Sequence, residues 1–127
     1  MGCPFCAFAE ADMLRQTRHA FAMLDAYPVS KGHCLIIPRR HVASWFDATA
    51  DERNEMFDLV RQVRDYLQDV YAPDGYNVGI NDGAAAGQTV PHLHLHLIPR
   101  YAGDRPDPRG GVRWVIPERA DYWSGRR

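Results

Sequence analysis

The stretch "PHLHLHLIP", Pro91 to Pro99, is the strongest constraint on the fold, because His92, His94 and His96 alternate with Leu93, Leu95 and Leu97. Side chains on a strand alternate between faces with a period of two, so the leucines enter a core while the three imidazoles share the opposite face. A chain containing this run must build a sheet with one dry side. Pro91 has no N–H to give to a ladder and suits a strand start, an edge or a bulge, which sets the regular strand from His92 onward. At ~3.3 Å rise per residue the outer histidines have Cα atoms about 13 Å apart, while a zinc ion needs each ligand nitrogen within about 2.0–2.1 Å. One ion cannot take all three from a straight strand, although two neighbours, ~6.6 Å apart, can share one. On geometry alone a His-x-His metal site, a catalytic row and a structural face all stay open.

The remaining elements follow from local patterns. "HAFAMLDAYPVSKGHCLIIPRRHV" predicts two strands, about His19 to Asp25 and His33 to Pro38, joined through the turn chemistry of Pro28, Ser30 and Gly32 as a hairpin. Next comes a capping box, with Thr49 as N-cap and Glu52 three residues on, followed by Met56, Leu59, Val60, Val63, Leu67 and Val70 at helical spacing. This stripe is core packing against a sheet, and Pro73, Asp74 and Gly75 stop the helix. "GYNVGIN" is a strand that pairs antiparallel with the histidine strand, and Val112 to Ile116 is a short strand-like piece in a turn-rich end.

A chain of 127 residues with one such set of elements fits a single domain. Its formal net charge of -1 excludes the global basic field that drives sequence-independent nucleic-acid binding, but leaves room for a small anion met by local donors. No apolar run approaches the roughly 20 residues of a bilayer span, and "MGCPFCAFAEADML" lacks the regions of a signal peptide, so a cytoplasmic protein is expected. Three cysteines make no disulfide framework there. Cys3 and Cys6 in "CPFC" are half a metal site, a redox pair or an unliganded pair, and Cys34 in "HCLIIP" is a small buried residue. Asn81, Asp82, Gly83, Gly87, Gln88 and Thr89 form a glycine-punctuated connection that can bring backbone N–H groups and amide donors to phosphate oxygens.

Taken together, "GQTVPHLHLHLIPR" resembles the histidine-triad (HIT) signature, in which three histidines alternate with apolar residues after a Gly-Gln-Ser/Thr lead. "LDAYPVSKGHCLIIPRRHV" is similar to that family's N-terminal hairpin and "GYNVGINDGAAAGQ" to its central strand and loop, so the resemblance covers about residues 3 to 101. It implies an α+β fold with an antiparallel sheet of about five strands, one long helix and a shorter N-terminal helix. The chain is then one HIT domain over 1–127, with a C-terminal tail at 102–127, that dimerises with a second copy through sheet and helix.

The chemistry implied is transfer or hydrolysis at the α-phosphate of a small nucleotide derivative, with no nucleic-acid polymer, membrane or organic cofactor. By resemblance His94 is the nucleophile, His96 contacts the phosphate and leaving group, and His33 supports the nucleophile's position. Asp25 holds the ribose hydroxyls, Asn81, Gln88 and Thr89 contact phosphate or leaving group, and Leu35, with Phe5 and Phe8, walls the base. Members with an N-terminal Cys-x-x-Cys hold a structural zinc, here implied at Cys3, Cys6, His41 and His92; His41 is otherwise a surface residue at a strand end. "YAGDRPDPRGG" maps onto neither well-known branch of the family, which leaves the choice between dinucleoside polyphosphates and nucleoside phosphoramidates open. A nucleotide-binding regulatory protein with little turnover and a metal-handling protein are the alternative readings.

Overall fold

The computed structural model describes residues 2–125, so the last two residues of the predicted tail lie outside the described residues. Among the described residues five strands form one sheet: β1 (Arg15–Gln16), β2 (Ala20–Leu24), β3 (Cys34–Pro38), β4 (Gly75–Ile80) and β5 (Leu95–Arg100). All pairings are antiparallel, in the order β1-β2-β3-β5-β4. The long helix α1 (Ala50–Tyr71) crosses between β3 and β4, and a one-turn helix α2 (Pro117–Ala120) lies near the end.

The capping box starts α1 as its residues dictate. Thr49 Oγ1 accepts from the Glu52 amide at 3.1 Å and Glu52 Oε1 accepts from the Thr49 amide at 2.8 Å, satisfying two of the helix's orphan donors. Arg40, just past β3, adds a two-nitrogen fork onto the same carboxylate at 3.0 Å for each contact. These bonds, with Arg40 first, hold the Glu52 carboxyl below its ordinary range. Met56, Leu59, Val63 and Leu67 then face one side of the sheet and bury there with Ala20, Ala22, Cys34, Ile36, Leu93, Leu95 and Leu97. The other side carries Phe21, Met23, Leu35 and Ile37, covered by Phe5 and, at the margin, by Phe8, Met13 and Val90. The N-terminal segment is therefore the roof of the second face.

Three expectations change in detail. The strand expected from His92 begins at Leu95, because the His92 amide goes to the Val90 carbonyl (2.8 Å) and the Leu93 amide to the Val42 carbonyl (2.7 Å), outside the sheet ladder. Val112 to Ile116 is not strand-like; Gly111–Val115 is a 3-10 turn opened by Gly110 and Gly111 at positive φ, with the Trp114 indole N–H donating to the Arg109 carbonyl at 2.7 Å. At the N-terminus the shorter helix amounts to one 3-10 turn, Glu10–Asp12.

Candidate active site

The expected site residues fall into two adjoining clusters at the N-terminal approach to β5. In the first, the three alternating histidines differ in what holds the second nitrogen of each ring. His94 is 8% exposed, and its Nδ1 lies 2.8 Å from the His92 carbonyl. A carbonyl only accepts, so the proton is on Nδ1 and the lone pair of the neutral ring is on Nε2. No buried side-chain nitrogen or oxygen among the described residues lacks a partner, and His94 Nε2 has none, so that nitrogen opens to solvent. The ring stands 5.2 Å from that of His96.

His96 and His33 are coupled in the same way. The Val29 amide donates to His33 Nδ1 at 3.1 Å, which places the neutral ring's proton on Nε2. That N–H lies 3.0 Å from His96 Nδ1 and 3.4 Å from Asp25 Oδ2. His96 then carries its own proton on Nε2, a donor left for a ligand. Burial lowers the affinity of both rings for a second proton; for His96 the neighbouring His94 and His33 add to it, and for both Asp25 opposes it. The two rings form a hydrogen-bonded chain that runs from the Val29 amide to His96. Asp25, at the end of β2, also accepts from the Tyr27 amide at 2.8 Å through Oδ1. Leu35 sits opposite His96 across β3 and β5, on the roofed face.

The loop before the triad folds onto itself. The amides of Ala86, Gly87 and Gln88 donate to carbonyls of Gly83 and Ala84, and the Gly83 amide donates to Gln88 Oε1 at 2.8 Å. Gln88 Nε2 donates to the carbonyls of Ala43 (2.9 Å) and Val90 (3.0 Å), so both of its N–H groups are engaged. Asp82 is an anchor, accepting from Ser44 Oγ at 3.1 Å and the Trp45 amide at 2.8 Å. In the expected cradle the amides of Gly83, Gly87 and Gln88 are thus engaged within the loop itself. Asn81 and Thr89 are exposed at its two ends.

The second cluster brings together Cys3, Cys6, His41 and His92, with one donor atom of each within 4.8 Å of every other. His92 Nδ1 lies 3.2 Å from Cys3 Sγ, 3.5 Å from Cys6 Sγ and 3.2 Å from His41 Nδ1, and Cys6 Sγ lies 3.1 Å from His41 Nδ1. Bonds of about 2.0–2.1 Å to nitrogen and 2.3 Å to sulfur make a tetrahedron with edges of about 3.3–3.8 Å, close to these spacings. The fully buried His92 ring donates from Nε2 to the Pro38 carbonyl at 2.8 Å, which turns its Nδ1 lone pair toward the thiols. A ligating imidazole is held in this way. Asp25, His33 and His96 also converge, yet His33 Nε2 carries a proton there, so that group is not prepared for a cation.

Two features go beyond what the motifs give. Phe5, expected at the base pocket, packs 5.3 Å from the His94 ring and 5.7 Å from the His92 ring, whereas Phe8 stacks on Phe21. Its place between the two cysteines was the available signal. Beyond His96 on the same face of β5, a cavity of about 1460 Å³ opens between Ile98 and the tail, with Val29, Lys31, Arg105, Trp114 and Trp123 on its walls. It starts beside Val29, whose amide holds His33.

Against known proteins, the model of the HIT domain matches residues 8–103. An uncharacterized 16.1 kDa HIT-like protein of Mycoplasma pneumoniae is 36% identical over 103 residues, covering 78% of this chain and 72% of that one. The bis(5'-nucleosyl)-tetraphosphatase [asymmetrical] of Schizosaccharomyces pombe is 40% identical over 89 residues, 70% of this chain but 49% of the relative, so the chain spans about half of that protein's length. The crystal structure of a Zn-bound histidine triad family protein from Mycobacterium smegmatis superposes with a TM-score of 0.74 at 32% identity, covering 91% of each chain.

Proposed function

The chain belongs to the HIT domain family, and from that premise we propose that it is a nucleotide hydrolase or transferase that cleaves at the α-phosphate through a covalent intermediate on His94. The observation that carries this reading is the His94 ring, anchored through Nδ1–H on the His92 carbonyl with its Nε2 lone pair open to solvent. Attack by Nε2 forms an N–P bond as the bond from phosphorus to the leaving group breaks, and water then cleaves the nucleotidyl-histidine; two easier displacements replace one. His96 donates Nε2–H to the phosphate and leaving group, with His33 fixing its tautomer. Asp25 takes the ribose hydroxyls, Leu35 borders the base, and Asn81 and Thr89 supply polar contacts from the loop ends. Gln88 donates to the leaving group only by exchanging one of the two bonds its Nε2 makes.

The cavity beyond His96 supports a leaving group larger than ammonia, with Lys31 and Arg105 as cations for a polyphosphate and Trp114 as an aromatic wall. The similarity to a dinucleoside tetraphosphatase supports the same class. Zinc is proposed at Cys3, Cys6, His41 and His92. Two thiolates and two imidazoles would close its coordination, so it would contribute folding energy and no open catalytic position. The Zn-bound relative supports this assignment. We place the protein in the cytoplasm as a homodimer, a location that the three free cysteines support.

Incubation with diadenosine polyphosphates and with adenosine phosphoramidate is expected to release AMP, faster from the former. His94→Ala is expected to lower the rate on the order of 10³-fold or more, and rapid quenching of wild type to trap one nucleotidyl group on His94. Binding of AMP without product from either substrate overturns the reading in favour of a regulatory protein.

A further inference from the structure

The four metal-ready donors and the nucleophile are joined by two short connections. One is backbone, since the residue that offers Nδ1 to the thiols, His92, also offers the carbonyl that accepts from His94 Nδ1–H at 2.8 Å. The other is packing. Cys3 to Cys6 is a tight turn, with the Cys6 amide on the Cys3 carbonyl at 3.3 Å, and it presents Phe5 inward at 9% exposure between the His92 and His94 rings.

We propose that this cluster positions the nucleophile: closing Cys3, Cys6, His41 and His92 on a divalent metal holds Phe5 against the His94 ring and steadies the His92 carbonyl, so that metal occupancy sets how completely His94 keeps its proton on Nδ1. A neutral imidazole without a fixed partner exchanges between two tautomers, and only the one with its proton on Nδ1 leaves Nε2 able to attack. The roof supplies the restraint. Residues 3–6 make few other anchoring contacts: the thiols meet His41 and His92, and Phe5 joins the cluster of Phe21, Met23, Leu35 and Ile37. Releasing the thiols frees the turn at both ends, and Phe5 with it. Phe5 and His92 are positioning residues here, since they act through His94.

This inference rests on the proposed function for the role of His94, but its primary readout needs no substrate. Long-range proton–nitrogen spectra of the histidine rings at mildly alkaline pH are compared for zinc-loaded wild type, chelator-treated wild type, and zinc-loaded Phe5→Ala and Phe5→Leu. Loaded wild type is expected to show His94 as one tautomer, protonated on Nδ1. Chelation and Phe5→Ala are expected to move its two nitrogens toward averaged shifts and to lower kcat roughly 10- to 100-fold with little change in KM, and Phe5→Leu to restore most of both. If chelation unfolds the chain, the loaded Phe5→Ala variant decides the matter. His94 nitrogen shifts that stay unchanged after chelation of a chain that remains folded, or in a folded Phe5→Ala protein, overturn the proposal. Metal-dependent shifts in a protein that turns over no nucleotide sustain it and overturn the function instead.

Discussion

At the scale of single residues, the row of histidines is differentiated by bonds made to the nitrogen that does no chemistry. His92 is turned by the Pro38 carbonyl, His94 by the carbonyl of His92, and His96 by His33. The alternating sequence made one shared role for three imidazoles geometrically awkward, yet no motif names the Pro38 carbonyl or the Val29 amide, because backbone partners leave no letter of their own. Burial lowers the proton affinity of His33 and His96 in the fold. Near pH 8 these rings are neutral folded or unfolded, so that stability is intact; as pH falls through about 6.5 the unfolded chain takes protons first, and stability falls until the folded rings protonate as well. The urea midpoint is therefore expected to drop between about pH 7.5 and pH 5.5, and less steeply in His33→Gln. A midpoint that is flat or rises over that range contradicts the burial-driven direction. For Cys34, burial first and then Asp25 push the thiol up to about 12. After chelation, iodoacetamide is expected to label Cys3 and Cys6 and to leave Cys34 unmodified, as peptide mass mapping can read.

At the scale of elements, legibility tracks how local the determining contacts are. α1 was readable because its capping box and stripe lie within the helix itself. β1 was not, since two exposed residues, Arg15 and Gln16, become a strand only by pairing with Ala22 and Phe21. The stretch from Val112 to Ile116 misleads for the same reason: its composition suits a strand, but Arg113 donates to the carbonyls of Ala120 (2.8 Å) and Arg119 (2.6 Å), closing a local turn that lies near β4 without joining the sheet. Two substitutions test the elements that are set locally. Thr49→Ala should cost about 1 kcal/mol by urea denaturation. Gly32→Ala should cost more, roughly 1–3 kcal/mol for the backbone alone, since φ there is +91° and an added Cβ would meet Leu67 Cδ2 at 3.0 Å and Tyr71 Cδ2 at 3.1 Å. If Gly32→Ala is as stable as wild type, the hairpin does not approach α1 this closely.

At the scale of the molecule, the sheet divides the chain into a packing side under α1 and a chemical side under the N-terminal roof. The catalytic candidates converge because three separate segments, the hairpin after β2, the turn at Cys3–Cys6 and the approach to β5, end over the same corner of that second side. β4 is an edge strand whose Val78 is 45% exposed on the helix-bearing face, a surface that needs cover. Light scattering is expected to give the mass of two chains, and Val78→Lys to shift it toward one; a wild-type monomer at all concentrations would refute the dimer. The family resemblance supplied this expectation, while the edge itself came from the order of strands, which no single segment encodes.

The late start of β5 carries a consequence for anyone who would transplant this chemistry. Ladder pairing on both sides of β5 ends at Leu95, opposite Ile36 and Ile80, and it is beyond that point that the His92 carbonyl turns to a side chain. A carbonyl inside a regular ladder is already committed to a neighbouring strand. Three alternating histidines grafted onto an unbroken strand of a designed sheet would reproduce the spacing and lose the acceptor that selects the reactive nitrogen, so the part to copy is the strand's ragged beginning together with its letters.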